Sequence, residues 1–203
     1  MEANVLKYKV RRFGMRLWYW ARQILLVGLL LALLLLVWRW QDRTAEHIRS
    51  GQGDSITVVD GDSIVLRQGE ARQTIRISGI DAPEYRQSCT DEKGAAWACG
   101  KEARTALETI IANHALQCAV DARDAYQRAV ASCSVEGVAD IGREMVRRGM
   151  AVSGAETTDS RYNDGGPYLR EEAEAAQAKR GIWRGPFERP ADWRIRHPRA
   201  AEN

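Results

Sequence analysis

Hydrophobic positions follow three different rhythms along this chain. Residues 23–38, QILLVGLLLALLLLVW, are a charge-free, almost wholly apolar run between Arg22 and Arg39. Residues 55–60 (SITVVD), 62–67 (DSIVLR) and 73–80 (QTIRISGI) are short β-rich runs separated by Gly61 and by Gln68-Gly69-Glu70, the signature of strands and turns. Residues 95–113 place Ala103, Leu107, Ile110 and Ile111 at helical spacing. Two further strands, 116–121 (LQCAVD) and 128–133 (RAVASC), flank a turn at Asp124-Ala125-Tyr126-Gln127. Helices are predicted over 139–149, stopping at Gly149, and over 168–180, closed by Gly181. Residues 154–167 read as a loop, and GIWRGPFERPADWRIRHPR at 181–199 as an extended segment packed by its tryptophans. Five strands with inserted and appended helices place the domain in the α+β class as a small closed barrel, preceded by one apolar helix.

The apolar run reads as a membrane address. Sixteen residues span about 24 Å at 1.5 Å each, short of a ~30 Å hydrocarbon core. Leu17-Trp18-Tyr19-Trp20-Ala21 before it and Trp38 and Trp40 after it extend the span and place aromatics at both interfaces. No small-x-small cleavage site follows, so residues 17–40 are expected to be an uncleaved transmembrane signal anchor rather than a removed signal peptide. Lys7, Lys9, Arg11, Arg12, Arg16 and Arg22 hold the N-terminus (residues 1–16) in the cytoplasm. Residues 41–53 become a tether, 54–196 an exported domain and 197–203 a tail, on the outer face of the inner membrane.

Cysteine usage agrees with export. All four, Cys89, Cys99, Cys118 and Cys133, follow the anchor. Pairing Asp124 with Gln127 across the turn sets Cys118 opposite Cys133, and Cys89 with Cys99 follows by elimination. Zinc is the competing use, but there is no Cys-x-x-Cys pair and His114 stands alone.

Charge excludes a uniformly basic coat protein. The formal +3 is made of blocks: nine Lys/Arg against three Asp/Glu in residues 1–50, 14 against 21 in 51–177, and seven against three in the last 26. The middle block is acidic, and its carboxylates gather in VVDGDSIVL (58–66) and IRISGIDAPE (75–84). Asp60, Asp62, Asp81 and Glu84 lie at strand ends or turns, with Arg76 inside an otherwise apolar strand. Carboxylates so placed suit a hard cation such as Ca²⁺. Asp-Gly is also an ordinary hairpin turn, and on spacing alone that reading weighs more. Arg128, just after the Tyr126 hairpin tip, is uninformative by itself.

In order and together, VDGDSI, IRISGIDAPE, DAYQR, RRGMA and AEAAQAKRGIW resemble the thermonuclease, or staphylococcal-nuclease-like, family over residues 54–196. The four cysteines resemble its exported, disulfide-bearing branch. The resemblance implies an OB-type five-stranded barrel with three helices, and Ca²⁺-assisted hydrolysis of phosphodiester bonds in DNA or RNA with little sequence specificity. It implies that Asp62, Asp81 and the Ala82 carbonyl hold Ca²⁺, with Asp60 behind them. Glu84 matches the general base, Arg76 and Arg128 the phosphate-binding arginines, and Tyr126 a substrate contact. The chain departs from the family at Ser153-Gly154, where an aromatic residue is usual, leaving Tyr126, Tyr162 or Tyr168 to stand in. It departs again at Gln127, where glycine is usual. The expected partners are nucleic acid and, through residues 17–40, the lipid bilayer; the chain is taken as a monomer. A non-catalytic OB module binding nucleic acid or protein at the envelope is the alternative.

Overall fold

The structure is a computed structural model that describes residues 2–44, 46–154 and 166–198. It comprises two compact units, residues 1–45 and 46–203. The first is one helix, α1 (Glu2–Thr44). Within it, Trp18–Arg39 has a mean hydropathy of 2.3, and by length and composition this segment can cross a membrane. Its 22 residues reach about 33 Å, longer than the apolar run alone because the aromatic flanks continue the helix.

The second unit is a curled sheet with helices packed on it. Its strands are β1 (His47–Arg49), β2 (Ser55–Val58), β3 (Ser63–Gln68), β4 (Ala71–Ile77), β8 (Gln117–Arg123) and β9 (Ala129–Ser134), in spatial order β1-β8-β9-β4-β3-β2. The two outermost strands, β1 and β2, are consecutive in the chain. The Ser50 amide also donates to the Leu116 carbonyl at 2.9 Å. Counting β1 and β2 as the two arms of one bent first strand, the curled sheet is the five-stranded OB-type half-barrel, as expected. Residues 47–49 fall inside the span expected to be tether. Ile48 is 5 % exposed and faces Cys118 across the ladder, so the folded domain starts before residue 54.

β3 and β4 form an antiparallel hairpin turned at Gly69-Glu70, with Gly69 at φ +59°, where a two-residue turn favours glycine. The register brings Ile64 against Ile75, both fully buried. β4 then runs parallel to β9. Ile64, Leu66, Ile75 and Ile77 meet Leu107 of α2 (Cys99–Ile111) and Ile141 and Met145 of α3 (Ile141–Arg147) in one core. α4 (Leu169–Gln177) packs beside α3. Two small pairs complete the sheet structure: β5 (Ile80–Asp81) with β10 (Val152–Ser153), and β6 (Cys89–Thr90) with β7 (Ala96–Trp97).

The C-terminal segment differs from expectation. It forms a 3₁₀ turn (Gly181–Arg184) and a fourth domain helix, α5 (Pro190–Arg196), rather than extended chain. Pro190 sits at the start of α5, where its missing N–H is not needed and its fixed φ suits a helix. Most of the expected 154–167 loop, including Tyr162, lies outside the described residues, as does the tail beyond Pro198.

Candidate active site

The site begins at the turn between β2 and β3. The Val59 amide donates to the Ser63 carbonyl at 2.8 Å, and Asp60 Oδ1 accepts the Asp62 amide at 3.1 Å, closing the Asp60-Gly61-Asp62 turn. Gly61 is required by packing: a Cβ there would lie 2.7 Å from the Ala82 Cβ and 2.8 Å from the Ala103 Cβ. Asp62 is buried and fully engaged. Its Oδ1 accepts the Ser63 hydroxyl at 2.8 Å and Arg76 Nη1 at 2.9 Å, and its Oδ2 accepts the Ala82 amide at 2.9 Å.

Arg76 stands opposite Ser63 in the hairpin and beside Val130 of β9. Its neighbours Ile75 and Ile77 are core residues, so strand alternation turns Arg76 to the other face. There its second nitrogen, Nη2, reaches Asp81 Oδ1 at 3.3 Å. The hairpin turn and the cluster are thus one feature, and the two readings of Asp-Gly-Asp do not compete.

Glu84 is placed by the loop that follows. Gln87, 1 % exposed, accepts the Glu84 amide on Oε1 at 3.2 Å and donates its own amide to the Glu84 carbonyl at 2.7 Å. Its Nε2 donates to the Glu188 carbonyl at 2.7 Å. The Cys89–Cys99 disulfide ties the loop to the start of α2. Gly100 lets the two touch, since a Cβ there would fall 1.8 Å from the Glu84 carbonyl oxygen.

Arg128 comes from the β8–β9 hairpin. The Gln127 amide donates to the Asp124 carbonyl at 2.9 Å, but the ladder closes one residue later, with the Asp124 amide on the Arg128 carbonyl at 3.1 Å. A bulge between Val120 and Ala122 absorbs the extra residue, so Cys118 still faces Cys133, and the two are disulfide-bonded. Gln127 takes φ +61°, the left-handed conformation glycine would supply more cheaply. Asp124 Oδ2 accepts Arg128 Nε at 2.6 Å, and the guanidinium lies 5.7 Å from the centre of the Tyr126 ring, which is 83 % exposed.

Asp60, Arg76, Glu84, Tyr126 and Arg128 line one cavity of about 830 Å³, with Asp62 and Asp81 beneath through Arg76. Its electrostatics are under tension. Burial, then the charge of Asp62, pushes the Asp60 carboxyl up to about 7. Burial also raises Asp81, and the hydrogen bond from Arg194 only partly pulls it back. At the tip the balance is reversed: burial raises Asp124, but hydrogen bonds from the Arg128 side chain and from the Arg128 and Tyr126 amides outweigh it and hold the carboxyl low.

Among the described residues no three His, Cys, Asp or Glu side chains gather as a metal cluster. The donors that do converge are two buried carboxylates bridged by one guanidinium and joined through the Ala82 backbone. Their hard oxygen chemistry fits a divalent cation that keeps water or phosphate as further ligands.

Three side chains were not singled out from sequence. Gln87 gave no signal beyond a polar residue in a turn. Arg194 of α5 donates Nη1 to Asp81 Oδ1 at 2.8 Å and Nη2 to Asp81 Oδ2 at 3.2 Å, and also reaches Glu84 Oε1 at 3.4 Å. Trp193 lines the same cavity. The aromatic-basic composition of the C-terminal segment was the only sign of either.

Comparison with known proteins decides the family. The family described as Staphylococcal nuclease homologue matches residues 74–185. The chain belongs to this family. The Succinoglycan biosynthesis protein ExoI of Rhizobium meliloti (strain 1021) is 32% identical over 170 residues, covering 83% of this chain and 81% of its own. The Probable endonuclease lcl3 of Botryotinia fuckeliana (strain B05.10) is 32% identical over 135 residues, 63% of this chain and 50% of its own. The Probable endonuclease LCL3 of Pyricularia oryzae is 31% identical over 137 residues, 64% of this chain and 51% of its own. The staphylococcal nuclease match begins inside β4 and so includes Arg76, Asp81, Glu84 and Arg128, while Asp60 and Asp62 lie before it.

Proposed function

We propose that the protein is a membrane-anchored, exported nuclease that hydrolyses phosphodiester bonds in DNA or RNA with Ca²⁺ and little sequence specificity. Family membership supports the nuclease class. The observation that carries the finer reading is the meeting of Arg76, Arg128 and Glu84 on one cavity above paired carboxylates.

Arg76 and Arg128 are two planar donors for the non-bridging oxygens of one phosphodiester, and charge on those oxygens grows in the transition state. Glu84, on the same cavity, is the side chain that would take a proton from a water attacking phosphorus. Arg76 reaches the cavity already oriented by Asp62 and Asp81, so little of its freedom remains to be lost on binding. Ca²⁺, held by Asp62, Asp81 and the Ala82 carbonyl with Asp60 behind them, would supply neutralisation of a phosphate oxygen. The disulfides and the Trp18–Arg39 segment support an extracytoplasmic domain on a single-pass anchor with a cytoplasmic N-terminus, in the inner membrane.

The test uses the full chain in detergent micelles. Single-stranded DNA should be cut with Ca²⁺ and spared with EDTA, and Glu84→Gln should bind DNA but cut at least about 10²-fold more slowly. Wild type and Glu84→Gln that bind DNA and are equally inert would mean a binding module instead.

A further inference from the structure

Arg194 and Trp193 belong to a helix that nothing so far assigns to substrate. α5 is fixed from several sides. The Arg189 side chain at its start donates to Glu172 Oε1 at 2.9 Å, the Glu188 carbonyl before it accepts Gln87, and Arg194 lies on Asp81. Residues four apart share a helix face, and here Trp193 and His197 do. Their rings are stacked, with centres 4.4 Å apart and planes 19° from parallel. The His197 amide donates to the Trp193 carbonyl at 2.9 Å, and Nδ1 lies 3.0 Å from the same oxygen, which holds the imidazole on the indole. Both rings line the cavity that holds Arg76, Arg128 and Glu84.

We propose that the Trp193–His197 stack is a nucleobase platform that receives an unpaired base next to the phosphate held by Arg76 and Arg128. This rests on the nuclease reading of the same cavity. A groove that joins guanidiniums to stacked aromatic faces is the general design for single-stranded nucleic acid, whose bases all offer a π-face. A bare phosphate site would have no use for an indole and imidazole on its wall.

Two other positions that could have carried a base-stacking ring do not serve. Gly154 carries no ring, and a Cβ there would already crowd the Ile80 carbonyl carbon at 3.1 Å. Tyr168 is buried, and its hydroxyl donates to Asp140 at 3.0 Å, so it serves the core. Tyr126, 83 % exposed at the hairpin tip, lines the same cavity beside Arg128, so the α5 platform adds a second stacking face to it. Arg194 acts as a positioning residue, clamping the helix to Asp81 and so fixing the platform beside the reacting group. Bases inside a duplex are already stacked on one another, so the platform selects unpaired strands.

The experiment measures binding of the full chain in micelles, in EDTA, to a fluorescent eight-nucleotide oligothymidylate and to an abasic strand of equal length and charge. Wild type should prefer the base-bearing strand by about 5- to 150-fold. Trp193→Ala should lower that ratio at least about 5-fold while binding of the abasic strand changes much less, Trp193→Phe should keep most of it, and His197→Ala should lower it part-way. Should Trp193→Ala fail to fold, His197→Ala decides, since His197 is exposed. A wild-type ratio near one, or a ratio that both alanine variants retain, overturns the platform. Cleavage with Ca²⁺ is scored separately. An enzyme that cuts with a ratio near one loses the platform alone, and a protein with the full ratio but no cleavage loses the nuclease reading alone. A wild type that binds neither strand loses both.

Discussion

The two arginines of the site are built in opposite ways. Arg76 sits near the end of β4, 8 % exposed, with two buried carboxylates on its two terminal nitrogens. Arg128 sits at a hairpin tip, about one-third exposed, with a single carboxylate four residues back. The first is held by the fold and is also part of what holds it. The second is held by its own turn, and the core does not depend on it. In the proposed nuclease, phosphate would meet one fixed and one adjustable guanidinium, a rigid reference and a side that can follow a bending backbone.

Removing each in turn separates those roles. Arg76→Ala leaves Asp62 and Asp81 buried without the charge that bridges them, which should destabilise the protein by about 3–5 kcal/mol. Arg128→Ala should change stability by less than about 1 kcal/mol, since the lost pair is part-exposed. Both should lower kcat/KM by 10²-fold or more, and Arg76→Lys should recover little of it because an ammonium lacks the planar fork. Urea unfolding followed beside cleavage rates measures both quantities. Equal stability losses at the two sites would erase the distinction.

The two regions should also answer pH with opposite signs. In the buried centre Asp60 binds its proton more tightly folded than unfolded, at about 7, because of burial and then Asp62. With divalent ions chelated, the native state holds the extra proton between about pH 4 and 7, so stability falls as pH rises through that window. The loss should be on the order of 2–4 kcal/mol, and Asp60→Asn should reduce it to the part that Asp81, also raised by burial, contributes. At the tip Asp124 is held low, so its pair with Arg128 contributes fully above the ordinary aspartate range and is lost only as pH falls below it. Asp124→Asn should therefore leave the pH 4–7 slope unchanged. Thermal unfolding across this range in EDTA tests both.

Position matters in the same way for the loop that carries Glu84. Gly100→Ala puts a methyl where the Glu84 carbonyl now lies, and only backbone movement can relieve it. We expect about 1–3 kcal/mol of destabilisation and a larger fractional loss of kcat than of DNA affinity. An alanine enzyme with native kcat would show that Glu84 does not need this loop position.

The strand and helix cores could be read from sequence, because alternation and helical spacing are local patterns. The Asp62–Arg76–Asp81 cluster and the tip arginine could be read only through the ordered motifs that resemble the nuclease family, since by spacing alone Asp-Gly-Asp is an ordinary turn and Arg128 a solvated side chain. Arg194 and Gln87 could not. Arg194 meets Asp81 across more than a hundred residues, and Gln87 acts through Glu188 just as remotely. Neither position breaks a local rule. β1 was missed because three residues paired at a barrel seam are too few to show alternation. α5 was missed because its prolines suggested extended chain, although one of them begins the helix. The cysteine pairing was right for an incomplete reason: a one-residue shift at the tip is cancelled by the bulge near Asp121.

The smallest change expected is at Gln127, and it shows how far the tip stands apart from the centre. A non-glycine residue at φ +61° is strained by about 1–2 kcal/mol, part of which glycine returns as chain entropy in the unfolded state. Gln127→Gly should therefore stabilise the protein by about 0.5–1 kcal/mol. The groups that position Arg128 are untouched by it. Asp124 still accepts the Arg128 and Tyr126 amides at 2.9 Å, and the bond from Arg123 ends on the residue 127 carbonyl, which glycine keeps. Cleavage should stay within about threefold of wild type. The same gain should appear in an Arg128→Ala background, because contacts that do not share partners add. A gain that vanishes there would mean that the arginine itself holds residue 127 in its strained conformation, and the tip would then be less independent of the Arg128 side chain than its geometry indicates.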